Sequence, residues 1–163
     1  MAELVLVRID SRMIHGQVTT RWNALVHATK IIVIDNEVAG NAIVASSLQF
    51  AAPQGVKALA YTVGQAAEAW KKNQFGDGRV MVLFRDAKSA YESWKEGFTY
   101  KKLNIGNIPI SPGRTAVFKT CYMSQEEGAM LKELKDSGVE VELQFMPQEQ
   151  KIPLERLLEK LNK

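Results

Sequence analysis

One stretch near the amino terminus gathers most of the reactive side chains of this chain: Arg8-Ile9-Asp10-Ser11-Arg12-Met13-Ile14-His15-Gly16-Gln17. An imidazole acts as a nucleophile toward phosphorus or as a general base. A guanidinium is a planar donor that meets phosphate oxygens in pairs, so Arg8 and Arg12 suit an anion. Ser11 adds a hydroxyl. The amides of Gly16, Gln17 and Val18 would open a helix, where free N–H groups and the helix dipole favour negative charge. Gly16 also lets a ligand approach the backbone closely. Asp10 has two uses, as a hydrogen-bond partner for the ring or as a brace for an arginine. Phosphoryl transfer demands positioned cations and N–H donors more than proton chemistry, and this segment offers both. The same residue types at a strand end also make ordinary surface ion pairs, worth ~0–1 kcal/mol. Two readings therefore stand side by side: an enzyme that handles phosphate, or an anion-binding or regulatory module that holds phosphate without transferring it.

The elements that must position these residues alternate along the chain. Leu4–Val7, Ile31–Ile34, Val56–Ala60, Val80–Phe84, Leu103–Ile105 and Lys119–Met123 read as strands, and Val139–Phe145 alternates at period two, as a strand with one wet face does. Helical patterns lie between them, over Gln17–His27 (Val18, Trp22, Leu25 and Val26 on one side), Asn41–Ala51, Val63–Lys72, Ala87–Lys95, Gln125–Lys135 and Leu154–Leu161. Thr62, Asp86 and Ser124 are placed as caps, Ser124 with Glu127 at capping-box spacing, and Gly138 as the glycine that ends a helix. This order predicts an α/β fold: a three-layer α/β/α open twisted sheet, mostly parallel, in one domain over residues 1–163. Ligands of such sheets bind at the carboxyl ends of strands. That points to the loops at Arg8–Gly16, Asp35–Ala39, Tyr61–Thr62, Arg85–Asp86 and Gly106–Pro112.

Composition excludes several classes. The 163 residues are 46% hydrophobic and 24% charged, the balance of a globular domain, and the net charge of +3 is too small to argue nucleic acid. One cysteine rules out an internal disulfide and any multi-cysteine metal site. The longest apolar runs fall far short of a membrane span of ~18 residues, and the first residues lack the basic region of a secretion signal. Cys121 sits in an apolar strand pattern near Glu126 and Glu127, which reads as an inert buried thiol. His27 closes a helix and has no ligand partners at metal spacing. Asp35 and Glu37 read as helix-capping acids. Gly106 and Asn107, following the fifth strand, read as a turn or as lining of the cleft, which Phe84 and Arg85 could also border. Gly76-Asp77-Gly78 is a turn and no Walker-type loop occurs, so ATP is not an expected substrate. Lys151, Arg156, Lys160 and Lys163 alternate with acids as a solvated face does.

The segment VLVRIDSRMIHGQV (Val5–Val18) closely resembles the active segment of the IIB components of the mannose/fructose/sorbose class of the bacterial sugar phosphotransferase system, which reads R-I-D-x-R-L-I-H-G-Q-V. Only Met13 departs from that pattern. The resemblance extends to IIVIDNEVA (Ile31–Ala39), LNIGN (Leu103–Asn107) and LKELKDSGVEVE (Leu131–Glu142). It implies that His15 is phosphorylated on Nδ1, receiving the phosphoryl group from a histidine of the IIA component and passing it to a hexose or amino sugar during uptake through the membrane IIC/IID components. By the same resemblance Arg12 meets the phosphoryl oxygens, Arg8 belongs either to the surface facing IIA or to the support behind the site, and Asp10 orients loop and ring. Ser11, Gly16 and Gln17 complete the expected phosphate-binding set. The implied protein is cytoplasmic and peripheral to the transporter, with no cofactor, no metal and no nucleic-acid partner. An α/β/α sheet is also the family's fold, with Val139–Phe145 as the candidate for an antiparallel edge strand.

Overall fold

The runs of branched apolar residues become the middle of one twisted sheet, because only there are both faces of a strand covered. The structure, a computed structural model, describes residues 1–163 apart from the side chain of Gln17. In chain order the elements are β1 (Glu3–Asp10), α1 (Gly16–Val26), β2 (Lys30–Ile34), α2 (Asn36–Ala39), α3 (Ala42–Ala51), β3 (Lys57–Tyr61), α4 (Val63–Asn73), β4 (Arg79–Phe84), α5 (Ala87–Glu96), β5 (Lys102–Asn107), β6 (Thr115–Phe118), β7 (Cys121–Met123), α6 (Gln125–Asp136), β8 (Glu140–Leu143), β9 (Ile152–Pro153) and α7 (Leu154–Leu161). Seven strands pair in the order β3-β2-β4-β1-β5-β8-β9, all parallel except β8–β9, while β6 and β7 form a separate antiparallel pair. The chain leaves β1 toward β2 and later crosses back past β1 to β5, so β1 lies where the winding changes direction. Its carboxyl end is the place such sheets keep for ligands.

Two cores sandwich the sheet. Ile32, Ile34, Val82 and Phe84 face one core with Ala66 of α4, Ala90 of α5, Leu131 of α6 and Leu157 of α7. Ile31, Val33, Met81 and Leu83 face the other with Trp22 of α1, Val38 of α2 and Leu48 of α3. Burial of each such side chain contributes ~1.5–3 kcal/mol. Phe75, Phe84, Phe98, Tyr100 and Trp70 pack together in the first core, Trp70 edge to face against Phe75 and Phe98 and the others tilted, with ring centroids as close as 5.0 Å. Thr62 and Ser124 form the two capping boxes, Asp86 caps α5, and Gly138 follows α6 at φ +105°. On the α1 side, the strip made by β5 and β8 is polar, and a groove of about 670 Å³ runs along it past Glu142 to Asn104 and Gln144.

Five expectations need correction. Lys119–Met123 is not one strand: Lys119 and Thr120 form the turn of the β6–β7 hairpin. The antiparallel edge strand is β9, not Val139–Phe145. The twelve-residue α6 brings β8 back parallel to β5, whereas the direct connection to β9 reverses the chain. Gly106 and Asn107 lie within β5 rather than after it, and Arg8 and Asp10 lie within β1 rather than in a loop. Leu25, placed on the apolar face of the first helix beside Trp22, is 59% exposed, whereas Trp22 is buried.

Candidate functional site

The site begins at the last residue of β1. The Asp10 carbonyl accepts a hydrogen bond from the Met13 amide at 2.9 Å, and its carboxylate Oδ1 accepts from the Arg12 amide at 3.0 Å. This aspartate turn bends the chain sharply and places Met13 at φ 59°, a left-handed conformation uncommon outside glycine, asparagine and aspartate. Ile14, 5% exposed, then pins the loop to the core beneath α1. His15 is the N-cap of α1, with an extended backbone whose N–H donates to Thr19 Oγ1 at 2.9 Å. A histidine ring accepts no bond from the helix amides here, so the imidazole stays available. The first turn of α1 holds no acid, and a Cβ on Gly16 (φ +36°) would meet nothing within 4 Å. Open space and a helix start favourable to anions therefore adjoin the imidazole.

Asp10 is the hub. It is 1% exposed, yet three cationic or ionisable groups surround its carboxylate: Arg8 Nη2 and His15 Nε2 each lie 3.5 Å from Oδ2, and Arg12 Nε lies 3.5 Å from Oδ1. At that length they are polar contacts rather than strong hydrogen bonds. A carboxylate facing Nε2 holds the ring by that nitrogen and leaves Nδ1, for which no hydrogen bond is found among the described residues. Asp10 thus contacts one ring nitrogen of His15 and leaves the other without a partner among the described residues.

Arg8 lies beneath the site. It is 2% exposed, so its side chain is no part of the free surface. Its Nη1 donates to Asn104 Oδ1 and, at 2.9 Å, to the Gln144 carbonyl; its Nη2 donates to the Phe145 carbonyl at 2.9 Å. The guanidinium also lies 4.9 Å from the centre of the Trp22 ring, and Trp22 Nε1 donates to the same Phe145 carbonyl at 3.0 Å. Burial pushes the Arg8 pKa down to about 10, opposed by the Asp10 charge. A buried cation persists because its donors are met by an acid, an amide and two carbonyls. Room for it comes from Gly106. The β1–β5 register breaks between Ile9 and Asp10, leaving Gly106 as the extra residue. A Cβ there would stand 2.7 Å from Arg8 Nε and closer still to Cζ and Nη2, distances that no carbon tolerates.

The remaining expected residues divide. The Ser11 hydroxyl donates to Asn107 Oδ1 at 2.6 Å and its amide donates to the Asn107 carbonyl at 3.1 Å, which ties the loop to β5. Arg12 is 45% exposed and its guanidinium sits 5.6 Å from the centre of the Phe145 ring. The Gln17 side chain lies outside the described residues. Cys121 is fully buried, and burial together with the Glu127 charge pushes its thiol up to about 12. His27 ends α1 in the left-handed conformation. Asp35 caps α2, but Glu37 instead pairs with Arg85 at 3.0 Å. Phe84 is fully buried among the aromatic residues. Trp22, Asn104, Gln144 and Phe145 escaped the sequence reading. Asn104, a polar residue inside an apolar strand, was the only one of these with a visible signal. Among the described residues, no three His, Cys, Asp or Glu side chains gather to hold a metal ion, and no helix is long and apolar enough to cross a membrane.

Residues 4–163 match the family described as the PTS system sorbose subfamily IIB component. The chain is similar to the sorbose-specific EIIB component of Lacticaseibacillus casei, 32% identical over 143 residues that cover 88% of this chain and 87% of that one. It is 29% identical to the mannose-specific EIIAB component of Escherichia coli K12, covering 97% of this chain but only 49% of that longer protein. The crystal structure of the IIB domain of the sorbose permease from Klebsiella pneumoniae superposes with a TM-score of 0.90 at 28% identity, covering 96% of this chain and 97% of that one.

Proposed function

The chain belongs to the PTS sorbose-subfamily IIB component family, a phosphotransferase family, and on that premise we propose that His15 is its phosphoryl carrier and Nδ1 the accepting atom. The observation that carries this reading is the 3.5 Å contact between His15 Nε2 and the buried Asp10, which leaves Nδ1 with no hydrogen bond found among the described residues. In the first step the P–N bond to a histidine of a IIA component breaks as a P–N bond to Nδ1 forms. In the second, a sugar hydroxyl attacks the phosphorus, the P–Nδ1 bond breaks, and the hydroxyl proton leaves to solvent or the ring. Arg12 and the amides at Gly16 and Gln17 neutralise the phosphoryl oxygens during both steps. Asp10 holds the ring, Arg8 holds Asp10, and Ser11 fixes the loop to Asn107. A IIA partner is supported by the Escherichia coli relative, whose name joins A and B components in one protein. The acceptor is a hexose or amino sugar entering through membrane IIC/IID components, to which this chain docks from the cytoplasm, with residues 1–163 acting as one IIB domain.

Labelled phosphoenolpyruvate with purified upstream proteins and IIA tests the reading. Acid-labile, alkali-stable label on His15 is expected, with none on a folded His15→Ala variant. Label on Cys121 or His27 overturns the assignment, and phosphate binding without any covalent label would make the chain an anion-binding module.

A further inference from the structure

Resting on that reading, we propose that Phe145 is a positioning residue for phosphoryl transfer, its ring setting Arg12 while its backbone sets Arg8. Arg12 projects from a loop and is 45% exposed. A long side chain in that position ordinarily samples many rotamers. Two contacts restrict it. Its Nε lies 3.5 Å from Asp10 Oδ1, and its Cζ lies 5.6 Å from the centre of the Phe145 ring. A guanidinium over an aromatic face is held by the ring quadrupole and by planar stacking. Hydrogen bonds found for the Arg12 side chain among the described residues involve Nε alone, so this arrangement leaves both terminal amino groups open toward a phosphoryl group.

Phe145 is itself fixed from behind. Its carbonyl accepts from Arg8 Nη2 at 2.9 Å and from Trp22 Nε1 at 3.0 Å. One residue of the segment after β8 therefore touches Arg8 of β1, Arg12 of the loop and Trp22 of α1. The division between ring and backbone makes the role separable. Replacing the side chain removes the surface under Arg12, while the carbonyl bonds to Arg8 and Trp22 survive. A leucine keeps an apolar side chain in the half-buried place but offers no quadrupole. A tyrosine or tryptophan keeps a π face.

Single-turnover phosphorylation of His15 by phospho-IIA is measured for wild type, Phe145→Leu, Phe145→Tyr and Phe145→Trp, and again with Arg12→Ala in each background. Phe145→Leu is expected to slow transfer by about two- to fivefold, the strength of a part-exposed cation–π contact. Phe145→Tyr is expected to match wild type within twofold, and the leucine effect is expected to vanish when Arg12 is alanine. NMR supplies a second measurement: the Arg12 δ protons shift upfield by the ring current in wild type and return to ordinary positions in Phe145→Leu. Wild-type transfer by Phe145→Leu, or an equal slowing with Arg12→Ala, overturns the proposal. So do unshifted δ protons in wild type, which decide the matter even if Phe145→Leu does not fold. Absence of label on wild-type His15 overturns instead the carrier reading, and the ring-current measurement keeps the two failures apart.

Discussion

At the scale of single residues, the site depends on one carboxylate shared among groups of opposite charge. Arg12 is the member that faces solvent, and its planar fork can meet two phosphoryl oxygens at once, whereas an ammonium is a single, strongly hydrated charge. Loss of one well-placed donor costs about 10²–10³ in rate where such donors have been removed. Lysine recovers part of that, so Arg12→Lys is expected to transfer phosphate about tenfold to a hundredfold more slowly, in single-turnover assays with unchanged circular dichroism. Cys121 gives a prediction of a different kind. Its folded pKa is raised from an ordinary value near 9 to about 12 by burial. The unfolded chain therefore loses the thiol proton first. The thiol's contribution to stability is complete below pH 9 and is lost as pH rises toward 12. The stability difference between wild type and Cys121→Ala, from denaturant titrations across this range, is expected to fall with pH, and a constant difference would contradict the burial of the thiol. Phosphate transfer by Cys121→Ala is expected to equal that of wild type.

At the scale of elements, the contact between β1 and β5 positions the chemistry. The irregularity that leaves Gly106 unpaired gives the Arg8 guanidinium its space. Gly106→Ala is expected to destabilise the protein by ~1–3 kcal/mol, as overpacked cores do, or roughly 2–12 °C in Tm. It is also expected to slow transfer, because Arg8 cannot keep its place under Asp10. A thermal melt beside the transfer assay checks both, and an unchanged Tm would mean that Arg8 moves aside freely. Sequence made some elements plain and hid others for physical reasons. Ile31–Ile34 and Val80–Phe84 were legible because both of their faces are buried, so every position is apolar. Thr115–Phe118 was not, since Thr115 and Ala116 are exposed and no alternation marks the strand. Asp10, Arg12 and His15 were legible as a site because they are neighbours in the chain. The acceptors of Arg8 were hidden because two of them are backbone carbonyls, at Gln144 and Phe145, which any side chain could carry.

At the scale of the whole molecule, the distribution of charge around the site governs encounter. The exposed Arg12 and the acid-free start of α1 present positive potential, which under the proposed function meets an incoming dianionic phosphoryl group. Second-order transfer from phospho-IIA is expected to slow as salt rises, because screening beyond a Debye length of ~8 Å at physiological ionic strength weakens steering. Stopped-flow rates across a salt series check this, and rates independent of salt would assign recognition to shape alone. The order of synthesis adds another consequence. Arg8 takes its carbonyl partners 136 and 137 residues downstream. On the ribosome, the histidine loop is made well before its anchors. A nascent chain therefore exposes the histidine loop long before the carbonyls that hold Arg8 beneath Asp10 exist.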